Sequence, residues 1–322
     1  MATPAPIPSP HADLDTACLA IVNHRRRPLL VLYYPASASM TENDIADAYQ
    51  ELRIAGWSRE HPIPQLDLLV HTTGGDPVAA YRLAQAVRSL SQEMDVLVPE
   101  YAYSAGTLLS FAGDSIRLGD YAGLSPIDIT LTEPSNRSAG GVQLASVDSF
   151  IEFTKKVRQT VEQMLAGCAR EGISTTVDSD LLVQMVKEVG ALKVGKYYRE
   201  RTLTGHYAEV LLDSYMFRDE TDAKDRRNQV IEKFLFSAPS HDLHLDYHLC
   251  ADWHLKMEQM QTDESDICKA AIETLGTFTD NGMICQKLNR KRRMPFIKFY
   301  DNPPVTAPAP PAPAPAPAPT TT

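Results

Sequence analysis

The sequence predicts an α/β fold built on a parallel sheet with crossover helices, and three observations carry that prediction. Apolar runs at residues 28–34, 66–71 and 95–99 have the length and make-up of buried strands. Apolar residues at helical spacing fill the intervals between them. The chain has 322 residues with a 43% apolar fraction, enough for a real core and too much for wholesale disorder.

The elements follow in order. PLLVLYY at 28–34 reads as the first strand. Thr41, Glu42, Asn43 and Asp44 look like a capped helix start, with Ile45, Ala48, Tyr49 and Leu52 on one face behind it. LDLLVH at 66–71 is the second strand, and Gly74-Gly75 breaks the chain after it. Asp76 is a good N-cap with Pro77 at the first helical position, followed by the stripe Ala80, Leu83, Ala84, Val87 and Leu90. DVLVP at 95–99 is the third strand. Ser104 opens another apolar helix through Ala105, Leu108, Leu109 and Ala112, and 115–118 is a short strand. Residues 145–235 then switch to long helical periodicity.

The ends are different in kind. Of 23 prolines, nine lie in residues 303–322 and four in residues 4–10. The predicted layout is therefore an unstructured N-terminus (1–15), one elaborated domain (16–280), a basic arm (281–302) and an extended Ala/Pro tail (303–322). The chain has 31 basic and 41 acidic residues, a net charge of −10, so general affinity for nucleic acid is not expected. Six basic residues cluster in 287–298 (KLNRKRRMPFIK), a solvated tether or a contact for an acidic partner or nucleic acid. Phe296, Phe299 and Tyr300 would add docking surface to it. The triplet Arg25-Arg26-Arg27 reads as an exposed boundary. Five scattered cysteines without a CxxC, no signal peptide and no long apolar span predict an intracellular, cytoplasmic protein with no membrane span.

Two features sit at the carboxyl ends of successive strands, where open α/β sheets bind ligands. The first is Thr72-Thr73-Gly74-Gly75-Asp76 and the second is Tyr103-Ser104-Ala105-Gly106-Thr107. A glycine pair lets the backbone turn tightly and bare an N–H. A serine at a strand-to-helix turn can hold its hydroxyl in the open, with the next N–H facing a developing oxyanion. Their separation of 29 residues is one strand–helix–strand unit, so they should be neighbours. Alone, each also reads as a plain loop or a helix cap.

Together, in LLVHTTGGDPVAAYRLAQAVR and VPEYAYSAGTLLSFAGDSIRLGDYAGLSPIDI, these motifs resemble the serine dehydrogenase proteinase family of the Clp protease and crotonase superfamily. The resemblance is densest over residues 66–130 and extends weakly from Pro28 to about Glu258. It implies a Clp/crotonase-like spiral of ββα units with added C-terminal helices, assembled as a trimer or larger ring. It implies Ser104 as nucleophile, and the N–H groups of Gly75 and Ala105 as the oxyanion hole. Thr73 and Gly74 would line the substrate. Asp128 falls in SPID, matching the family's Gly-Pro-Ile-Asp segment, as a base-orienting, groove-shaping or structural residue.

One departure matters. Where Clp proteases carry their histidine, this chain reads LSPIDIT at 124–130. A serine hydroxyl needs an adjacent base. Lys155 and Lys156 could serve as in the Ser-Lys dyads of signal peptide peptidases, and His241 matches the family's late histidine. His244 and His248 share a helical spacing, but no zinc-type framework accompanies them, so they read as structural histidines and no metal is expected. No phosphate-binding glycine motif occurs, and no cofactor is expected. The expectation is a peptidase acting on protein or peptide substrates. The alternatives are a catalytically inactive scaffold binding partners through an oligomeric body and the basic arm, and acyl-CoA chemistry of the crotonase type.

Overall fold

The computed structural model describes residues 12–127, 159, 162–163, 166–167, 170, 191–238, 240–282 and 295–301. The predicted α/β core is present. Helix α1 (Ala12–Arg25) begins within the stretch expected to lack structure. Strand β1 (Leu29–Tyr33) follows, buried at every position. Then come α2 (Asn43–Ile54), β2 (Ile63–His71), α3 (Pro77–Arg88) and β3 (Ser91–Val98). A two-residue strand β4 (Tyr101–Ala102) leads into α4 (Ala105–Ser110), β5 (Ser115–Leu118) and β6 (Gly123–Leu124).

The second half supplies α5 (Ala191–Leu211), α6 (Ala223–Ile231), α7 (Tyr247–Asp252), β7 (Met257–Gln259), α8 (Thr262–Gly282) and β8 (Phe296–Tyr300). Wide π-type turns extend α5 at Leu212–Met216 and α6 at Glu232–Ser237. Among the described residues no helix is long and apolar enough to cross a membrane.

The main sheet runs β7-β5-β3-β2-β1-β8. All its pairs are parallel except β1 with β8. A small parallel sheet, β4-β6, stands beside its carboxyl edge, tied to it by a bridge between Thr72 and Ala102. One side of the sheet packs Leu30, Leu32, Leu68 and Val70 against α2, α3 and α4. The other packs Leu29, Val31 and Leu69 against α1 and α8. Burial on both faces explains why the central strands are continuous apolar runs rather than alternating ones.

The caps act as the sequence suggests. The Asp76 side chain accepts the Val78 N–H at 2.9 Å, with Pro77 just inside α3. Asp44 accepts the Thr41 N–H at 2.7 Å, closing the start of α2.

Two expectations change. Arg25 is not on an exposed boundary. It reaches Asp67 at 2.8 Å, Asp95 at 2.7 Å and Glu264 at 3.1 Å, and Arg27 adds a bond to Asp95 at 2.6 Å. Burial still pushes the Asp67 carboxyl up, against the pull of Arg25. Residues 296–300, the end of the basic segment, form edge strand β8. Lys298 pairs with Asp15 at 2.7 Å, Glu51 accepts the Phe299 N–H at 3.1 Å, and Tyr300 is buried.

Removing one partner of a buried ion pair leaves an uncompensated charge. Arg25→Ala is therefore expected to cost about 3–5 kcal/mol, read as a lower urea midpoint for loss of helical circular dichroism.

Candidate active site

The two motifs meet at the carboxyl edge of β2 and β3. Beyond β2 the chain turns through Gly74 at φ 118° and Gly75 at φ 154°, conformations that disfavour a side chain. Space demands glycine as well. A Cβ on Gly75 would lie 2.4 Å from the Met40 nitrogen and 2.5 Å from its oxygen. Met40 clamps the turn, its N–H donating to the Gly74 carbonyl at 3.0 Å and its carbonyl accepting from Asp76 at 3.1 Å. That pairing leaves the Gly75 N–H between them without an acceptor among the described residues.

Ser104 lies directly opposite. A Cβ on Gly74 would approach the Ser104 Cβ to 2.9 Å and the Ala105 nitrogen to 3.5 Å. Ser104 has φ 51° and ψ −112°, a strained left-handed turn between β4 and α4. This is the geometry of a nucleophile held on a sharp strand-to-helix elbow. Its side chain makes no capping bond to α4, so the plain N-cap reading does not apply. The Ala105 N–H, like that of Gly75, donates to no acceptor among the described residues.

The strain is held by a polar chain. The Ser104 N–H donates to Ser125 Oγ at 2.8 Å, the Ser125 N–H to Thr107 Oγ1 at 3.1 Å, and Thr107 Oγ1 to the Ala102 carbonyl at 2.7 Å. Ser125 is the serine of the SPID segment, so that segment braces the elbow. Gly106 completes the fit, since a Cβ there would meet Thr72 Cγ2 at 2.4 Å.

An aromatic stack leads along the same edge. Tyr33 and His71 stack at 4.8 Å, His71 and Tyr101 lie 4.1 Å apart, and Tyr101 and Tyr103 stack at 5.0 Å. Tyr103 donates to or accepts from His244 Nδ1 at 3.0 Å. His71 is buried, its Nδ1 makes no hydrogen bond, and burial pushes its pKa down to about 4. The Glu100 carboxylate sits 3.4 Å away.

The sequence-derived residues divide as follows. Ser104, Gly75, Ala105, Gly74 and exposed Thr73 are brought together. Asp128, Lys155 and Lys156 lie outside the described residues. His241 lies in a turn closed by the Leu243 N–H on the Ser240 carbonyl, and the contact with Tyr103 is made by His244, three residues later. The helical spacing of His244 and His248 presents His244 as a structural histidine. Its signal was the alternation around buried Leu245, which a short bridge rather than a helix imposes. No group of three or more His, Cys, Asp or Glu suited to a metal occurs among the described residues. Cys18, Cys250 and Cys268 are buried free thiols, and burial pushes all three up, Cys18 to about 11 and Cys268 to about 12. Thiols held in this form are poor nucleophiles.

Comparison with known proteins adds the following. A family model described as ClpP-like SDH-type serine proteinase matches residues 14–208. Two uncharacterized proteins of Methanocaldococcus jannaschii, MJ0137 and MJ1495, are similar in sequence. The first is 34% identical over 105 residues, 33% of this chain and 35% of the relative. The second is 30% identical over 113 residues, 35% of this chain and 37% of the relative. The chain thus matches little more than a third of either relative's length. Among solved structures, an alanine mutant of the 1510-N membrane-bound stomatin-specific protease aligns over 74% of this chain and 85% of its own, with a TM-score of 0.41 and 12% identity.

Two outcomes are expected. Gly75→Ala should lower the melting temperature, because the new Cβ meets Met40 backbone rather than a movable side chain. His71 is neutral when folded but protonates below about pH 6.5 when unfolded. Stability should therefore fall as pH drops from about 6.5 towards 4, a loss of about 3 kcal/mol when complete. His71→Phe should flatten that acid limb in melts recorded from pH 7 to 4.5.

Proposed function

Because the chain belongs to the ClpP-like SDH-type serine proteinase family, we propose that it is a peptidase using Ser104 as nucleophile. The observation that carries this reading is the elbow at Ser104, strained at φ 51° and abutting Gly74, with two backbone N–H groups lacking acceptors among the described residues. A side chain without a capping role, held in a costly conformation, is better accounted for by chemistry than by stability.

In this mechanism the Ser104 hydroxyl attacks the scissile carbonyl of a peptide. The Gly75 and Ala105 N–H groups receive the oxyanion of the tetrahedral intermediate. Loss of the amine leaves an acyl-enzyme on Ser104, which water hydrolyses. Thr73 and Gly74 flank the entering peptide. The chain alone supplies these roles, with a base taking and returning the proton. A homo-oligomer, trimeric or larger, is the assembly in which we expect the site to work.

Labelling with a serine-reactive fluorophosphonate tests the reading. Wild-type protein should be modified at Ser104, found by peptide mass spectrometry. Ser104→Ala should abolish both labelling and cleavage of peptide substrates while keeping the melting temperature within a few degrees. An unlabelled wild type, or labelling that persists in the alanine variant, would reject Ser104 and favour a non-catalytic scaffold.

A further inference from the structure

We infer that His244 is the side chain that takes the proton from the Ser104 hydroxyl, with Tyr103 as its positioning residue. The inference rests on the peptidase reading of Ser104. Three contacts place the imidazole beside the elbow. The Leu124 N–H donates to the Leu245 carbonyl at 3.0 Å and the Leu245 N–H to the Leu124 carbonyl at 2.9 Å, a closed antiparallel pair. In that register His244 stands opposite Ser125 and on the same side of the ribbon. Ser125 is the residue whose hydroxyl receives the Ser104 N–H.

The ring also lies flat on Gly123. A Cβ there would fall 2.6 Å from its Nδ1 and 2.7 Å from its Nε2. The third contact is with Tyr103, next to Ser104 in the chain, whose hydroxyl is 3.0 Å from Nδ1 with the rings edge to face. Leu245 is fully buried, while His244 is exposed. One residue thus anchors the segment and the other lays its ring between Gly123 and Tyr103.

The chemistry is complete with these groups. In this role Nδ1–H donates to the Tyr103 oxygen, the tautomer that leaves Nε2 as acceptor. Burial pushes the Tyr103 phenol up, so it stays a neutral hydroxyl. Nε2 removes the Ser104 Oγ proton as Oγ bonds to the carbonyl carbon. The imidazolium returns that proton to the amine nitrogen as the C–N bond breaks. A water molecule then gives a proton to Nε2 as its oxygen bonds to the acyl carbon, and the imidazolium returns that proton to Ser104 Oγ as the C–Oγ bond breaks. Among the described residues Ser104 Oγ makes no hydrogen bond, and nucleophile–base bonds commonly tighten only around substrate.

The experiment measures the second-order rate of fluorophosphonate labelling at Ser104 in the full-length protein. General-base catalysis contributes about 100- to 10,000-fold. His244→Ala should therefore slow labelling at least about 100-fold, and added imidazole should restore part of it. Gly123→Ala, which drives the ring away without removing it, should slow labelling as well. Tyr103→Phe should slow it less and lower the benefit of the histidine, so that His244→Ala costs less in the Tyr103→Phe background. Labelling of His244→Ala at the wild-type rate, or no imidazole rescue in a slowed variant with an unchanged melting temperature, would overturn the role of His244 while leaving Ser104 as nucleophile. A wild type that does not label at Ser104 would remove both.

Discussion

Two carboxylates stand side by side in the middle of the sheet, and the structure depends on how they are neutralised. Asp67 of β2 and Asp95 of β3 are direct partners in the parallel register. Asp67 is completely buried, and like charges in adjacent strands repel. Arg25, at the end of α1, bridges both and also reaches Glu264 of α8. Arg117 of β5 holds Glu264 from the other side at 2.7 Å and pairs with Glu258 of β7. One guanidinium thus ties four elements from both ends of the chain. A slip of either strand by one residue would send its carboxylate to the opposite face, into the core under α3 and α4. The register that avoids this also fixes where each strand ends at its carboxyl edge.

That edge is built from backbone rather than from large side chains. Gly75 against Met40, Gly74 against Ser104 and Gly106 against Thr72 are approaches that a single methyl group would block. The crowding leaves little room at the turn, and the strain at Ser104 costs on the order of 1–3 kcal/mol. The chain from Ser125 through Thr107 to Ala102 holds it there. Close packing at the site and ionic pinning at the far end are complementary. The first needs positions accurate to a fraction of an ångström, and the second supplies the register that delivers them.

Legibility in the sequence followed locality. The strands at 28–34, 66–71 and 95–99, the Asp76 cap and the Ser104 turn are encoded in consecutive residues, so pattern alone located them. The pairing of GGD with SAGT across one strand–helix–strand unit was legible for the same reason. What sequence missed joins distant segments. Arg25 looked like a surface triplet because its three acidic partners lie 42, 70 and 239 residues away. Strand β8 was hidden by the charge of its neighbours, although FIKFY carries aromatic and β-branched residues. Three-residue β7 is too short to show any period. His244 was legible only as one member of a histidine cluster, because its place depends on a single bridge between Leu124 and Leu245.

The same distinction bears on which part of the chain surrounds the candidate site. The family match ends at residue 208, and the two M. jannaschii relatives share only about a third of the chain. Yet the segment 124–127, whose Ser125 receives the Ser104 N–H, is held by residues beyond that limit. Leu245 closes the ribbon on Leu124, the Phe234 carbonyl accepts the Ile127 N–H at 2.9 Å, and β7 extends the sheet beyond β5. At the opposite end, Glu264 completes the charge balance around Arg25 and Arg117. Ser104, Gly75 and Ala105 lie in the matched region together with Ser125, which braces the elbow, whereas the segment paired with Leu124 lies in the C-terminal part. An elbow held in an unfavourable conformation persists only where its surroundings over-determine it. The residues after 208 are therefore part of the packing around Ser104 rather than an appendage to it.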